Sequence, residues 1–529
     1  MEWIVLGENK GRIKLVSKSN TSGQTPGLLP KGSYLTVDNG ESKFILRVDE
    51  SIQNEPYAPT PMVIDMDLSP LKQDQKCQNI VHAYRVKDIS TRTDGLIDNI
   101  PPQLVARRSN QGEIDLAMAS ESPGPKVFIA TIHSGQNQIL CDELGKPITA
   151  QLPDEMFFHQ MLICGSTGKG KTVAMKYLAQ YFVEELKGAV LAINVKDVDL
   201  LKMDQPSITK DEGIKKEWET LGKKPHGIFN FTVYYPANTQ IEHSMGVTES
   251  KCKKITLDVK TIDPESLTGL LQGISDIGAR SLPDIFRFWQ NQKLNERNPS
   301  DFTFSNFVSY FNARSVQRNY DTLNTRDEAS IVTLPRGTIE NVQRSLNVAL
   351  SFFDNKNAEC ITEEHILEKE KMSVINVTGK YGILFGSILL RHLLSLIVSA
   401  KEHQEYSDVP ILIIIDEVHQ FYNTETSAEA LGDLDTICRT GRSKQIGVIF
   451  ASQNPSDIPK GLSSVINTKI FFKSETNSAK GVGISISNEE MESLKKGYAV
   501  ASIHELSQLK ILKMPLAFAG VFEKEAKNV

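Results

Sequence analysis

The six cysteines of this 529-residue chain stand far apart, at 77, 141, 164, 252, 360 and 438, and no Cys-x-x-Cys occurs. Zinc clusters and a disulfide framework are therefore not expected, and a reducing compartment fits. A basic excess is also missing, since the net charge is −6. The molecule is no general polyanion coat, so any DNA contact has to be local, in a lined channel or patch. The opening MEWIVLGENKGR lacks a charged start followed by a long apolar core, so no signal peptide is expected. The longest near-apolar stretch, Gly382 to Ala400, is interrupted by Arg391 and His392. A bilayer penalises both, so a buried core helix with a polar edge is expected, in a cytoplasmic protein without a membrane anchor. What is present, 40% hydrophobic and 23% charged residues, is ordinary globular material for two or three domains.

Met161 to Gln180 reads MLICGSTGKGKTVAMKYLAQ. Gly165, Ser166, Thr167, Gly168, Lys169, Gly170, Lys171 and Thr172 fit G-x-x-x-x-G-K-[ST], the phosphate loop of nucleotide hydrolases. A short apolar strand precedes it, and apolar residues at helical spacing follow it as far as Gly188. Backbone N–H groups of such a loop wrap a phosphate, and the new helix points its positive end at the same anion. Lys171 is expected on the β- and γ-phosphates of ATP, with the Thr172 hydroxyl on Mg²⁺.

The second decisive stretch is VPILIIIDEVHQFY, 409–422. A fully apolar strand ending in Asp416 and Glu417 is a Walker B arrangement. Asp416 would orient Mg²⁺ and Glu417 would activate the attacking water. Asp416-Glu417-Val418-His419 also resembles the box of two-lobed helicases. However, 244 residues lie between Lys171 and Asp416 and only about 110 follow, too few for a second motor lobe. A composite site then needs neighbouring subunits. The segment LGDLDTICRTGRSKQIGVIFASQNPSDIP, 431–459, carries Arg439 and Arg442 on a helix beside a glycine turn, then a strand with Gln453 at its tip. Gln453 is placed to sense the γ-phosphate. Arg442, rather than Arg439, is placed to reach a neighbour's nucleotide as an arginine finger. The alternative for the pair is a surface role.

Around these motifs, residues 1–130 read as short strands punctuated by turns, a small barrel or sandwich serving assembly. Residues 131–529 read as an α/β core, in which apolar runs such as AVLAINV (189–195) alternate with helices around a parallel sheet. Lys196, Asp197 and Asp199 follow that run, where open sheets bind ligands; Asp197 fits equally a turn cap. A mostly helical insertion is expected at about 260–370. Lysines 215, 216, 223, 224, 251, 253 and 254 are interspersed with acids and read as solvated surface rather than a DNA patch.

GSTGKGKT, IIIDEVHQF, ICRTGRSKQIGVIFASQNPS and INTKIFF (466–472) together resemble the HerA branch of the HerA/FtsK ring translocases. The resemblance covers most of the chain and is strongest at 161–180 and 409–459. It implies a RecA-like P-loop core behind a barrel similar to that of ATP synthase subunits. It further implies a homohexamer that threads duplex DNA and hydrolyses ATP between subunits. Carried onto this sequence, Lys171 and Thr172 are nucleotide ligands, Asp416 the metal ligand, Glu417 the base and Arg442 the trans finger. It also implies a partner encoded nearby, a nuclease or a sirtuin-type NAD-consuming effector, in DNA-end processing or antiphage defence. Two other readings stay open: a nucleotide-gated scaffold that licenses an effector, and a soluble pump subunit of a secretion or conjugation system. The chain departs from the family where members often have Gln-Arg-Pro-Ser, here Gln453-Asn454-Pro455-Ser456. It departs again at the second strand's end, usually Asp-Pro, here Lys196-Asp197.

Overall fold

The computed structural model describes the chain apart from residues 1–2, 18–27, 55–77, 91–98, 197–198, 240–245, 272–275, 297–300, 380, 404–405, 423–430, 463, 475–482, 485, 507 and 524–529. Asp197 lies outside the described residues. The chain forms two compact units. The first comprises residues 1–156, 168–170 and 470–515; the second comprises 157–167, 171–469 and 516–529.

In the first unit six antiparallel strands close a barrel: β1 (Trp3–Asn9), β2 (Arg12–Ser17), β3 (Tyr34–Asp38), β4 (Ser42–Asn54), β5 (Gln78–Ser90) and β6 (Val105–Arg108). The expected barrel is therefore present. Every second side chain points inward, and Trp3, Val5, Ile13, Leu15, Leu35, Val37, Phe44 and Leu46 fill the interior. The unit continues with β7 (Pro123–His133), which pairs with β8 (Gln136–Ile139), with β9 (Thr149–Pro153) and with the strand Ile511–Lys513, all antiparallel. The phosphate-loop residues Gly168–Gly170 belong to this unit. Gly170 sits at φ 127°, and a Cβ there would lie 3.0 Å from the Phe472 ring, so the position admits only glycine without strain.

The second unit is built on eight parallel strands. In chain order they are β10 (Met161–Cys164), β11 (Ala189–Asn194), β12 (Asn230–Pro236), β13 (Cys252–Thr256), β16 (Glu359–Cys360), β17 (Lys371–Asn376), β18 (Ile411–Asp416) and β19 (Ile446–Ser452); β14 (Asn319–Leu323) and β15 (Ala329–Thr333) lie outside this sheet. Across the sheet they run β16-β13-β12-β17-β11-β18-β19-β10. In β10, β11, β17, β18 and β19 every residue is buried. That is why these strands read as unbroken apolar runs: helices cover both faces.

Between β13 and β17 the chain forms the helices Asp276–Leu294, Phe304–Ala313 and Arg336–Ala349, where the insertion was expected. It also holds a hairpin, β14 (Asn319–Leu323) with β15 (Ala329–Thr333), that the sequence did not announce. Half its strand residues are exposed, so no alternating apolar face marks it.

The helix Gly382–Glu402 is the one described helix long and apolar enough to cross a membrane by length and composition, and it is mostly buried in this unit. Its polar edge has a task. Arg391 donates to the Ser387 carbonyl (2.9 Å) and to the Phe421 carbonyl (3.0 Å), and lies 4.3 Å from the Tyr422 ring centroid. It thereby fixes the segment that follows the Asp416–Glu417 pair. Lys215, Lys223 and Lys253 sit in exposed ion pairs with acids, as solvated surface does.

Candidate functional site

The parallel register carries the ends of four neighbouring strands to one edge of the sheet. Cys164 of β10 faces Ser452 of β19, Ala451 of β19 faces Asp416 of β18, and Ile415 of β18 faces Ile193 of β11. The residues just beyond are Gly165, Gln453, Glu417 and the turn containing Lys196. Open α/β sheets bind their ligands at this edge.

Lys171 opens the helix Lys171–Glu184 and is 6% exposed. Its Nζ donates to the Gly165 carbonyl at 2.7 Å, so the ammonium curls back over its own loop. Burial lowers its pKa, and the nearby Glu417 and Asp416 charges offset part of that. Thr172 lies in the same first turn.

Asp416 is 5% exposed and its Oδ1 has no hydrogen-bond partner among the described residues. Burial pushes its pKa up to about 6, against the pull of Lys196 and with the repulsion of Glu417. A buried carboxylate oxygen without a donor fits a divalent cation. Asp416 and Thr172 would hold Mg²⁺, which would supply neutralising charge to a phosphate.

Glu417 is 1% exposed and adopts a left-handed backbone, φ 51° and ψ 56°. Its N–H donates to the Ala451 carbonyl at 2.8 Å, which fixes it to β19. Non-glycine residues in this region cost on the order of 1–3 kcal/mol and gather where function over-determines the backbone. Its Oε1 accepts from Lys196 Nζ and, at 3.4 Å, from Gln453 Nε2. Its Oε2 has no hydrogen-bond partner among the described residues. His419 Nδ1 lies 3.7 Å from that oxygen and 3.8 Å from Asp457 Oδ2. Asp457 in turn accepts from Ser452 Oγ and from the Asn454 N–H.

Lys171, Asp416, Glu417 and Gln453 are thus gathered as the sequence suggested. Gln453 touches Glu417 itself, not only the space above it. Arg439 and Arg442 are elsewhere, both exposed on the helix Asp433–Lys444. Arg439 Nε donates to both Asp435 oxygens, at 2.9 and 2.8 Å. Among the described residues, no arginine is a charged neighbour named as shifting Asp416 or Lys171.

The glycine between the two arginines is inside the helix, not in a turn. A Cβ on Gly441 would stand 2.4 Å from the Ile446 carbonyl oxygen and 3.3 Å from Gln160 Nε2. Gln160, 1% exposed, accepts from the Val448 N–H (2.8 Å) and reaches the Ile437 carbonyl, tying this helix to β19 just ahead of β10. Gly441→Ala is accordingly expected to destabilise the chain by roughly 1–3 kcal/mol, as overpacking against backbone does, read as a lowered midpoint in denaturant unfolding.

The sequence had Lys196 only as a charge beyond a strand, and gave His419 and Asp457 no role. Their importance depends on β11 lying beside β18 and on the turn after β19 folding back, neither of which periodicity encodes.

Residues 366–473 match the family of helicase HerA-like C-terminal domains. The DNA double-strand break repair helicase HerA of Sulfurisphaera tokodaii is 25% identical over 150 residues, 27% of this chain and 30% of that protein. A probable HerA of Methanocaldococcus jannaschii is 24% identical over 195 residues, 31% of this chain and 37% of that protein. The match thus spans about a third of the length of these curated relatives. Among solved structures, VirB4 of Thermoanaerobacter pseudethanolicus aligns over 75% of this chain and 97% of its own, with 11% identity and a TM-score of 0.45. The residues matched to the HerA-like C-terminal family include the strand that ends in Asp416, the Glu417 after it and the strand that leads to Gln453.

Proposed function

We propose that the chain hydrolyses ATP as a subunit of a homohexameric, cytoplasmic ring that moves along duplex DNA. One observation carries this reading. The edge of the sheet gathers Lys171, Asp416, Glu417 and Gln453, while Arg439 and Arg442, the candidate fingers, stand exposed on a helix. Such a site binds nucleotide with its own residues and gains a guanidinium from an adjacent copy. ATP and Mg²⁺ are the cofactors the donor set fits. The break-repair helicase role named for the archaeal relatives supports DNA as the track. The net charge of −6 confines that contact to part of the surface. We further propose that the ring works with an effector encoded nearby, a nuclease or an NAD-consuming enzyme, in DNA-end processing or antiphage defence.

The test is steady-state ATP turnover of the purified chain, with and without linear duplex DNA, beside a mass measurement of the assembly. Turnover that rises at least about threefold with duplex DNA, in a hexameric particle, is the expected result. Full-speed hydrolysis by a monomer, indifferent to DNA, overturns the reading.

A further inference from the structure

We infer that Lys196 is a positioning residue for Glu417: it grips one carboxylate oxygen so that the other is presented to the attacking water. The inference rests on the hydrolytic reading above and adds a residue to it.

The geometry is asymmetric. Lys196 Nζ and Gln453 Nε2 both address Glu417 Oε1, while Oε2 is buried and, among the described residues, accepts no hydrogen bond. A carboxylate free to spin would offer either oxygen. One fixed by an ammonium on one side offers the other in a set direction. The backbone supplies the second constraint, since Glu417 is held left-handed by its N–H bond to Ala451. The two devices come from different strands, β19 for the backbone and β11 for the side chain.

The base of the lysine is itself built in. Asn194, the last residue of β11, is buried and its amide donates to Asn376 Oδ1 on β17 at 3.0 Å. Its own Oδ1 accepts from the Leu200 N–H at 3.1 Å, closing the turn that holds Lys196, and the Asp199 N–H reaches the Lys196 carbonyl at 3.3 Å. Lys196 is 37% exposed, whereas Glu417 is 1% exposed. The lysine is not needed to fill the core; what it meets is a buried acidic group that requires a partner.

The test compares ATP turnover of the full chain as wild type, Lys196→Met, Lys196→Arg, Lys196→Gln and Glu417→Gln. Lys196→Met is expected to lower kcat about 10- to 100-fold, the usual loss when an outer partner that orients a catalytic group is removed. KM for ATP is expected to stay within about twofold, because the lysine acts through the base rather than on the nucleotide. Lys196→Arg is expected to restore most of kcat, and Lys196→Gln, which keeps a donor, to fall between. Combining Lys196→Met with Glu417→Gln is expected to cost no more than Glu417→Gln alone, since both remove the same function. Wild-type or higher kcat in Lys196→Met, a KM that rises in step with the loss, or an additive double variant overturns the inference. Unchanged binding of a fluorescent ATP analogue by Lys196→Met verifies the fold; if that variant fails to bind, Lys196→Gln and Lys196→Arg decide by the same kcat and KM criteria. A wild-type chain with no ATP turnover defeats the hydrolytic reading instead, and is seen before any variant is compared.

Discussion

Glu417→Gln is expected to cut ATP turnover about 100- to 10,000-fold, the range over which a positioned general base contributes, while ATP still binds. The change keeps the size of the side chain and its contacts at Oε1, where Lys196 and Gln453 meet it. What it removes is the capacity to take a proton at the second oxygen, which is buried and accepts no hydrogen bond among the described residues. The variant should therefore trap ATP: nucleotide retained after rapid desalting, with phosphate release slowed by the same factor. The loss belongs almost wholly to kcat, because the interaction matters only as the water attacks. Retention of more than about a tenth of the turnover would put the base elsewhere. The nearest substitutes are His419, 3.7 Å from the same oxygen, and Asp457, 3.8 Å from His419.

The phosphate loop and the Asp416–Glu417 pair could be read from the chain because each is local. A glycine-rich loop, the strand before it and the helix after it span twenty-four residues, and a fully buried strand such as Ile411–Asp416 leaves five consecutive apolar letters. The barrel was legible for a related reason: inward positions such as Trp3 and Val5, or Ile13 and Leu15, alternate with outward ones, and turn residues mark the ends. Spatial order was not legible. β11 and β18 are separated by more than two hundred residues yet lie side by side, and only that adjacency brings Lys196 to Glu417. Gly441 misled in the opposite direction. Glycine ordinarily punctuates a helix, but here it permits one to approach the Ile446 carbonyl. Arg391 and His392 looked like interruptions of an apolar helix. Burial holds the His392 pKa down to about 4, so a neutral imidazole accepts from the Asp263 N–H at 3.3 Å, while Arg391 caps the Phe421 carbonyl. Polar residues in a core helix follow contacts that sequence periodicity does not contain.

Arg442→Ala is expected to reduce hydrolysis about 1,000- to 100,000-fold, the span that arginine fingers supply in nucleotide hydrolases, with ATP binding nearly intact. The split follows from where the groups are. Lys171 and Asp416, which would meet nucleotide and metal, are buried at the sheet edge, and the guanidinium is not among the charges acting on them. Arg439 offers a control on the same helix. Its bidentate contact with Asp435 keeps it within its own helix, so Arg439→Ala should cost far less. The decisive measurement mixes two inactive chains, Arg442→Ala and Lys171→Ala. Each lacks one half of a composite site. In a randomly mixed ring roughly a quarter of the interfaces place an intact phosphate loop against an intact finger, and turnover should reappear in that proportion. Recovery that requires mixing, and that vanishes when the same chain carries both substitutions, locates the arginine in the neighbour's site. A mixture as inactive as its parts, with rings still assembled, would mean that Arg442 serves the subunit it belongs to. The closed ring would then lose its chemical necessity even if it kept its mechanical one.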